Sequence, residues 1–185
     1  VKHAVRVHQQ GASSPRDPAE TKKNLNYING RKMAKRVTTI IGDLLENNEK
    51  SKLFSNRYIL SVHSHWLSEE EADEAFKILG IKDYRRLIDI EIKIIEFLVE
   101  LNKIYKLTYF DKSEAIMYDF WDDGEFIKKA ADGLREVTQF VFYAKSLDLI
   151  LISGFDQDIR IFFISDGDQS PFKNLVYDNK LYLLE

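Results

Sequence analysis

Leu87-Ile-Asp-Ile-Glu-Ile-Lys-Ile-Ile-Glu-Phe-Leu-Val-Glu-Leu101 can be read with two periods, and the choice between them decides the fold. Ile88, Ile90, Ile92 and Ile94 alternate as they would on a strand. Leu87, Ile90/Glu91, Ile94, Phe97/Leu98, Leu101 and Ile104/Tyr105 instead recur at helical spacing, over a length no ordinary strand reaches. Length therefore selects a long central helix. Its second apolar row, Ile88, Ile92, Ile95 and Val99, implies burial on two sides, against a sheet and against another helix.

Downstream of this helix the chain alternates short elements. Strand patterns near Ala115–Phe120, Gln139–Ala144, Leu147–Ser153 and Ile159–Ser165 surround a helix at Gly124–Leu134 that Asp122 and Asp123 can cap. The last two strands join through Gly154-Phe-Asp-Gln-Asp158, a loop of hairpin length. Leu147, Leu149 and Leu151 face one way and Ile150 and Ile152 the other, and Ile161/Phe163 oppose Phe162/Ile164. With both faces apolar, this hairpin belongs at the centre of an antiparallel sheet that helices cover. Asp166–Pro171 reads as a linker and Asn174–Leu184 as an added edge strand.

Upstream, Arg57–Trp66 alternates as a strand, and Ser68 with Glu71 forms a capping box for a short helix that stops at Gly80. Arg31–Glu46 is an amphipathic helix with Met33, Val37, Ile40, Ile41 and Leu44 on one stripe and a basic face opposite. Asp17, Pro18 and Glu20 carry the start signals of an earlier helix. Residues 1–16, with the Gly11–Pro18 stretch GASSPRDP, read as a flexible arm or loose strand. The expectation is a single globular domain over 17–185 of α+β class: N-terminal helices and a long central helix packed on a mainly antiparallel sheet, with the C-terminal β-hairpin central to it.

Composition narrows the functions. The chain has 185 residues, 44% of them hydrophobic, with 8 Gly and 3 Pro, which belongs to a packed domain of ordinary size. No cysteine is present, so disulfides, thiolate nucleophiles and Cys-ligated zinc are excluded. Val1–Gln10 has no apolar run of signal-peptide length, and no segment has the ~20 apolar residues that cross a bilayer. A cytoplasmic protein without a membrane partner is expected. The charge is uneven: Val1–Leu67 carries twelve Lys/Arg against five Asp/Glu, or +7, which leaves −10 of the total −3 for Ser68–Glu185.

Several constellations could carry chemistry. His63 and His65, at i and i+2 on a strand, would point to one side and could share a metal, but no third ligand is singled out. Asp89-Ile-Glu91-Ile-Lys93 contains the Glu-x-Lys core of metal-dependent nucleases, which works only if the stretch is a strand. On a helix Glu91 and Lys93 stand about 200° apart. Lys32, Lys35 and Arg36 could contact phosphates, although the acidic remainder of the chain makes nucleic acid an unfavoured partner. No Gly-rich phosphate loop or Gly-x-Ser-x-Gly elbow is present, and no cofactor is implied.

The acid-rich loops suggest a different use. Asp119, Trp121, Asp122 and Asp123, Phe155, Asp156 and Asp158, and Asp166 and Asp168 combine carboxylates with aromatics, and Phe172 follows closely. Such residues supply steering charge and the apolar anchors of protein interfaces. The expected function is a non-catalytic protein-binding module, concretely an immunity- or antitoxin-like inhibitor that blocks a basic, nuclease-type toxin. A metal-dependent nuclease or hydrolase using Asp89, Glu91 and Lys93, or the His63/His65 pair, is the alternative.

Overall fold

The computed structural model describes residues 35–46 and 54–185. The chain divides into two compact units, Val1–Val37 and Thr38–Glu185, and the second carries the sheet and its helices. The arm over 1–16, the helix expected from Asp17, and Met33 and Lys32 lie outside the described residues. Residues 35–46 form helix α1, which buries Ile40, Ile41 and Leu44 and exposes Lys35 and Arg36, the division its periodicity predicts.

Seven strands form one antiparallel sheet: β1 (Asn56–Ser61), β2 (Thr108–Asp111), β3 (Ile116–Asp119), β4 (Val141–Ala144), β5 (Leu149–Ser153), β6 (Ile159–Phe163) and β7 (Tyr182–Leu184). Their order across the sheet is β3-β2-β4-β5-β6-β1-β7, so the hairpin of β5 and β6 is central, as both its apolar faces require. Its register pairs Leu149 with Phe163 and Leu151 with Ile161 on one face, and Ile150 with Phe162 on the other. Val141, Tyr143, Ile150, Ile152 and Phe162, on that second face, are buried as well.

Four further helices accompany the sheet: α2 (Glu69–Phe76), α3 (Ile81–Tyr105), α4 (Asp123–Leu134) and α5 (Ser170–Asp178). Leu87–Leu101 is thus helical throughout. The first face of the sheet makes one core with Ile94, Phe97, Leu98 and Leu101 of α3, Phe126, Ala130 and Leu134 of α4, and Phe172, Leu175 and Val176 of α5. Each large side chain fully buried there is worth roughly 1.5–3 kcal/mol of transfer free energy. Alpha3 spans roughly 38 Å at 1.5 Å per residue and carries the chain from β1 to β2, past the places later taken by β4, β5 and β6.

The structure corrects several boundaries. The second apolar row of α3 is not buried: Ile92 is exposed, and Ile88, Ile95 and Val99 are half-buried, because α4 packs along one flank only. Beta1 ends at Ser61, and His63 and His65 lie in the bends after it. The Ser68/Glu71 capping box forms, but α2 ends at Phe76, and Gly80 caps α3 at its start, where Leu79 N donates to the Asp83 carboxylate. Beta2 has no counterpart among the expected strands. Alpha5 takes the end of the expected linker and the first part of the expected edge strand. Pro171 sits in its first turn, Asp168 Oδ1 accepts from Ser170 N, and Phe172, Leu175 and Val176 bury at helical spacing, leaving only Tyr182–Leu184 as the edge strand. Phe172 is therefore a core ring, edge-on to Phe163 and Phe97, and is no surface anchor.

Two details tie α4 in place. Arg135, at its C-cap, donates from Nε and Nη2 to both carboxylate oxygens of Glu91 on α3, at 2.9 and 2.7 Å, while Glu91 itself is only 5% exposed. Gly133 lies against β4 and β5, and a Cβ there would overlap Phe140 Cδ1 and stand 3.0 Å from Ser153 Oγ. Helix propensity alone favours Ala over Gly by about 1 kcal/mol. Overlap outweighs it, so Gly133→Ala should destabilise the protein by about 1–3 kcal/mol in urea unfolding. Arg135→Ala should cost about 2 kcal/mol in the same measurement, because it strands a buried carboxylate, and Glu91→Gln should cost less because its amide can still meet the guanidinium.

Candidate functional site: a carboxylate-lined groove at the hairpin end of the sheet

Strand register sorts the expected interface residues between the two ends of the sheet. Asp119 pairs with Thr108, which pairs with Tyr143, so Trp121, Asp122 and Asp123 follow β3 at the end marked by Ala144, Leu149 and Phe163. Asp166 and Asp168 leave β6 at that same end, but β3 and β6 are four places apart in the sheet, roughly 19 Å. Phe155, Asp156 and Asp158 stand at the opposite end, in the turn between β5 and β6. The nine residues form no single patch.

At the first end, Asp122 Oδ1 accepts from Glu125 N and caps α4, and Glu125 Oε2 accepts from Trp121 N. These bonds fix the backbone of Trp121 while its side chain stays 91% exposed. Asp168 is held by Ser170, which keeps its carboxyl below the usual range.

The hairpin end is more elaborate. Asp158 N donates to Phe155 O at 3.0 Å, and Asp156 and Gln157 take φ of 55° and 63°, a type I′ turn that suits the twist of the strands. Asp tolerates this left-handed region; Gln157 adopts it at a cost of about 1 kcal/mol. The turn is held from outside, since Asp156 N donates to Glu136 Oε1 at 2.9 Å. Glu136 belongs to the loop after α4, which Gln139 Nε2 and Phe140 N tie to Ser153. Glu136, Asp156 and Asp158 line a groove of about 560 Å³ with Thr138, Gln139 and Arg160. Phe155 stands at its rim, 79% exposed.

Asp158 has an unusual setting. Burial, and secondarily the charge of Asp156, push its carboxyl up to about 6. Among the described residues no hydrogen bond or ion pair reaches that carboxylate. A narrow cleft beside it is lined by His63, Ile90, Ile94 and Gln157. Burial and the nearby His65 hold His63 below its ordinary value, and Glu71 opposes them. His65 Nε2 lies 3.3 Å from Glu71 Oε1, and among the described residues no group of three His, Asp or Glu side chains is arranged to hold a metal ion.

Glu91 and Lys93 have separate partners. Glu91 binds Arg135, and Lys93 Nζ donates to Lys180 O at 2.6 Å, while Asp89 is exposed on the same helix. The three occupy successive parts of a helix surface and not one side of a strand. Glu136, Val137 and Tyr84 were not legible as site residues. Glu136 and Val137 fall between the expected helix Gly124–Leu134 and the expected strand Gln139–Ala144, and Tyr84 precedes the apolar stripe of the long helix.

No family model matches the chain, and no curated protein or solved structure is significantly similar to it.

The raised carboxyl of Asp158 has a defined consequence for stability. Its folded value lies above the unfolded one near 3.8, so the folded state binds the proton more tightly. This contribution is fully present below about pH 4 and is lost as pH rises through 6. Asp158→Asn, which mimics the protonated acid, should stabilise the protein at pH 8 by about 1 kcal/mol after allowance for solvent screening, or about 2–4 °C in Tm. At pH 4 the variant and the parent should melt together, as thermal denaturation followed by circular dichroism would show.

Proposed function

We propose that this chain is a non-catalytic protein-binding module of the immunity or antitoxin type, an inhibitor that covers the basic surface of a nuclease-like toxin. The observation that carries the reading is the pairing of exposed aromatics with carboxylates. Trp121 projects beside Asp119, Asp122 and Asp123, and Phe155 projects beside Asp156, each from a backbone fixed by hydrogen bonds. An anchor whose backbone is already ordered loses little entropy on binding, and flanking charge steers a basic partner toward it. The net −10 over Ser68–Glu185 adds a long-range field of the same sign.

Affinity capture from the native lysate at low and high salt, with bound proteins and nucleic acids identified, tests the proposal. A stoichiometric basic protein, released by salt and inhibited by the chain in a nuclease assay, is the expected result. Not every acid makes a useful probe, because Asp122 caps α4 and Asp158 is partly buried. Asp123→Lys with Asp156→Asn should slow association with that partner by about tenfold at low salt and flatten its salt dependence. Capture of nucleic acid alone, or of nothing at either salt, would overturn the reading.

A further inference from the structure

We infer that the hairpin end of the sheet is the docking surface, and that it receives a basic, apolar-faced segment of the partner whose arginine or lysine side chain enters the groove between Glu136, Asp156 and Asp158. This rests on the proposed binding function and names the surface and the partner's chemistry. Three elements converge there. The loop after α4 meets the β5–β6 turn through Glu136 and Asp156 N, and Arg135 joins that loop to α3 through Glu91, two turns along α3 from Tyr84. Large apolar side chains stand out from all three: Tyr84 at 52% exposed, Val137 at 68% and Phe155 at 79%. Phe155 lines the recess itself, while Tyr84 and Val137 stand on the adjoining helix and loop, and exposed apolar side chains grouped beside polar ones mark protein-binding surfaces.

Charge complementarity selects the occupant. Three carboxylates, Glu136, Asp156 and Asp158, line the recess against one lining cation, Arg160, and Lys112 Nζ donates to Gln139, another lining residue. Arg160 lies between Ile159 and Ile161, which face the core, so it projects from the other face of the sheet. The groups around Asp158 are Asp156 and Gln157 on the turn, Glu136 on the loop, His63 across the cleft, Arg160 on its own strand, and the apolar Ile90 and Ile94 of α3. None of these gives Asp158 a hydrogen bond or ion pair. A guest cation would supply one and favour the ionised carboxylate, so docking should tighten as pH rises through 6. Trp121, at the other end of the sheet, lies outside this recess.

The test uses the full chain, labelled with nitrogen-15, and a short amphipathic peptide of arginine and leucine, compared with the same peptide in which citrulline replaces arginine. Citrulline keeps the shape of arginine and removes its charge. The expected result is amide shift changes at Tyr84, Val137 and Phe155–Asp158, about tenfold weaker binding of the citrulline peptide, and about tenfold weaker binding by Phe155→Ser. Trp121→Ser should bind like the parent, and affinity should fall severalfold from pH 7.5 to pH 5. Shift changes centred on 119–125, equal binding of both peptides, or no binding of the arginine peptide would each overturn the inference. If a basic partner is still captured from the lysate in those cases, only the surface assignment fails; if none is captured, the binding function fails with it.

Discussion

Leu149, Leu151, Ile161 and Phe163 on one face of the central hairpin, and Ile150, Ile152 and Phe162 on the other, leave it no side that water can wet. Every larger feature follows from that constraint. The hairpin must be flanked by strands on both edges, and β4 and β1 fill those places, the latter from about a hundred residues away. Its first face must be roofed by apolar helices, and α3, α4 and α5 supply a continuous core there. Alpha3 can serve as the central roof because its buried stripe runs from Ile94 to Leu101. Buried Glu91 on the same helix is tolerated only because Arg135 completes it at the end of α4.

A sheet closed in this way leaves its variation to its ends. The antiparallel ladders commit the backbone of every strand, so the loops are where polar and aromatic side chains can project without disturbing the core. The two ends differ in how they do so. Trp121 is a single aromatic beside a capped helix start. Phe155 stands on a tight turn braced by Glu136, beside a recess lined by three carboxylates and Arg160. That difference, and not the number of acids at either end, is what makes the hairpin end the better surface for a basic guest.

Much of this was legible from local pattern. Helical spacing over Leu87–Leu101 announced α3, Ser68 and Glu71 announced the start of α2, Asp122 announced that of α4, and alternation with two apolar faces placed β5 and β6 at the centre. Short elements were harder to read. Beta2 begins at Thr108, just after α3 ends at Tyr105, and α5 follows a run of turn residues, so neither is set off from its neighbours. Phe172 looked like a loop aromatic because the turn residues before it, Asp166 to Pro171, masked a helix start.

The sequence by itself determined the class of fold, the central hairpin, the long helix and the sign of the charge. Each of these is a property of residues close together along the chain, where period and composition act directly. Tertiary structure alone decided which loops share an end, that Glu91 answers to Arg135 and not to Lys93, and that Asp158 is a partly buried acid near Glu136. Those facts depend on strand order and register, which are set by long-range pairing between segments whose local patterns are much alike. For that reason nine acidic and aromatic residues that look like one surface in the sequence lie at opposite ends of a sheet.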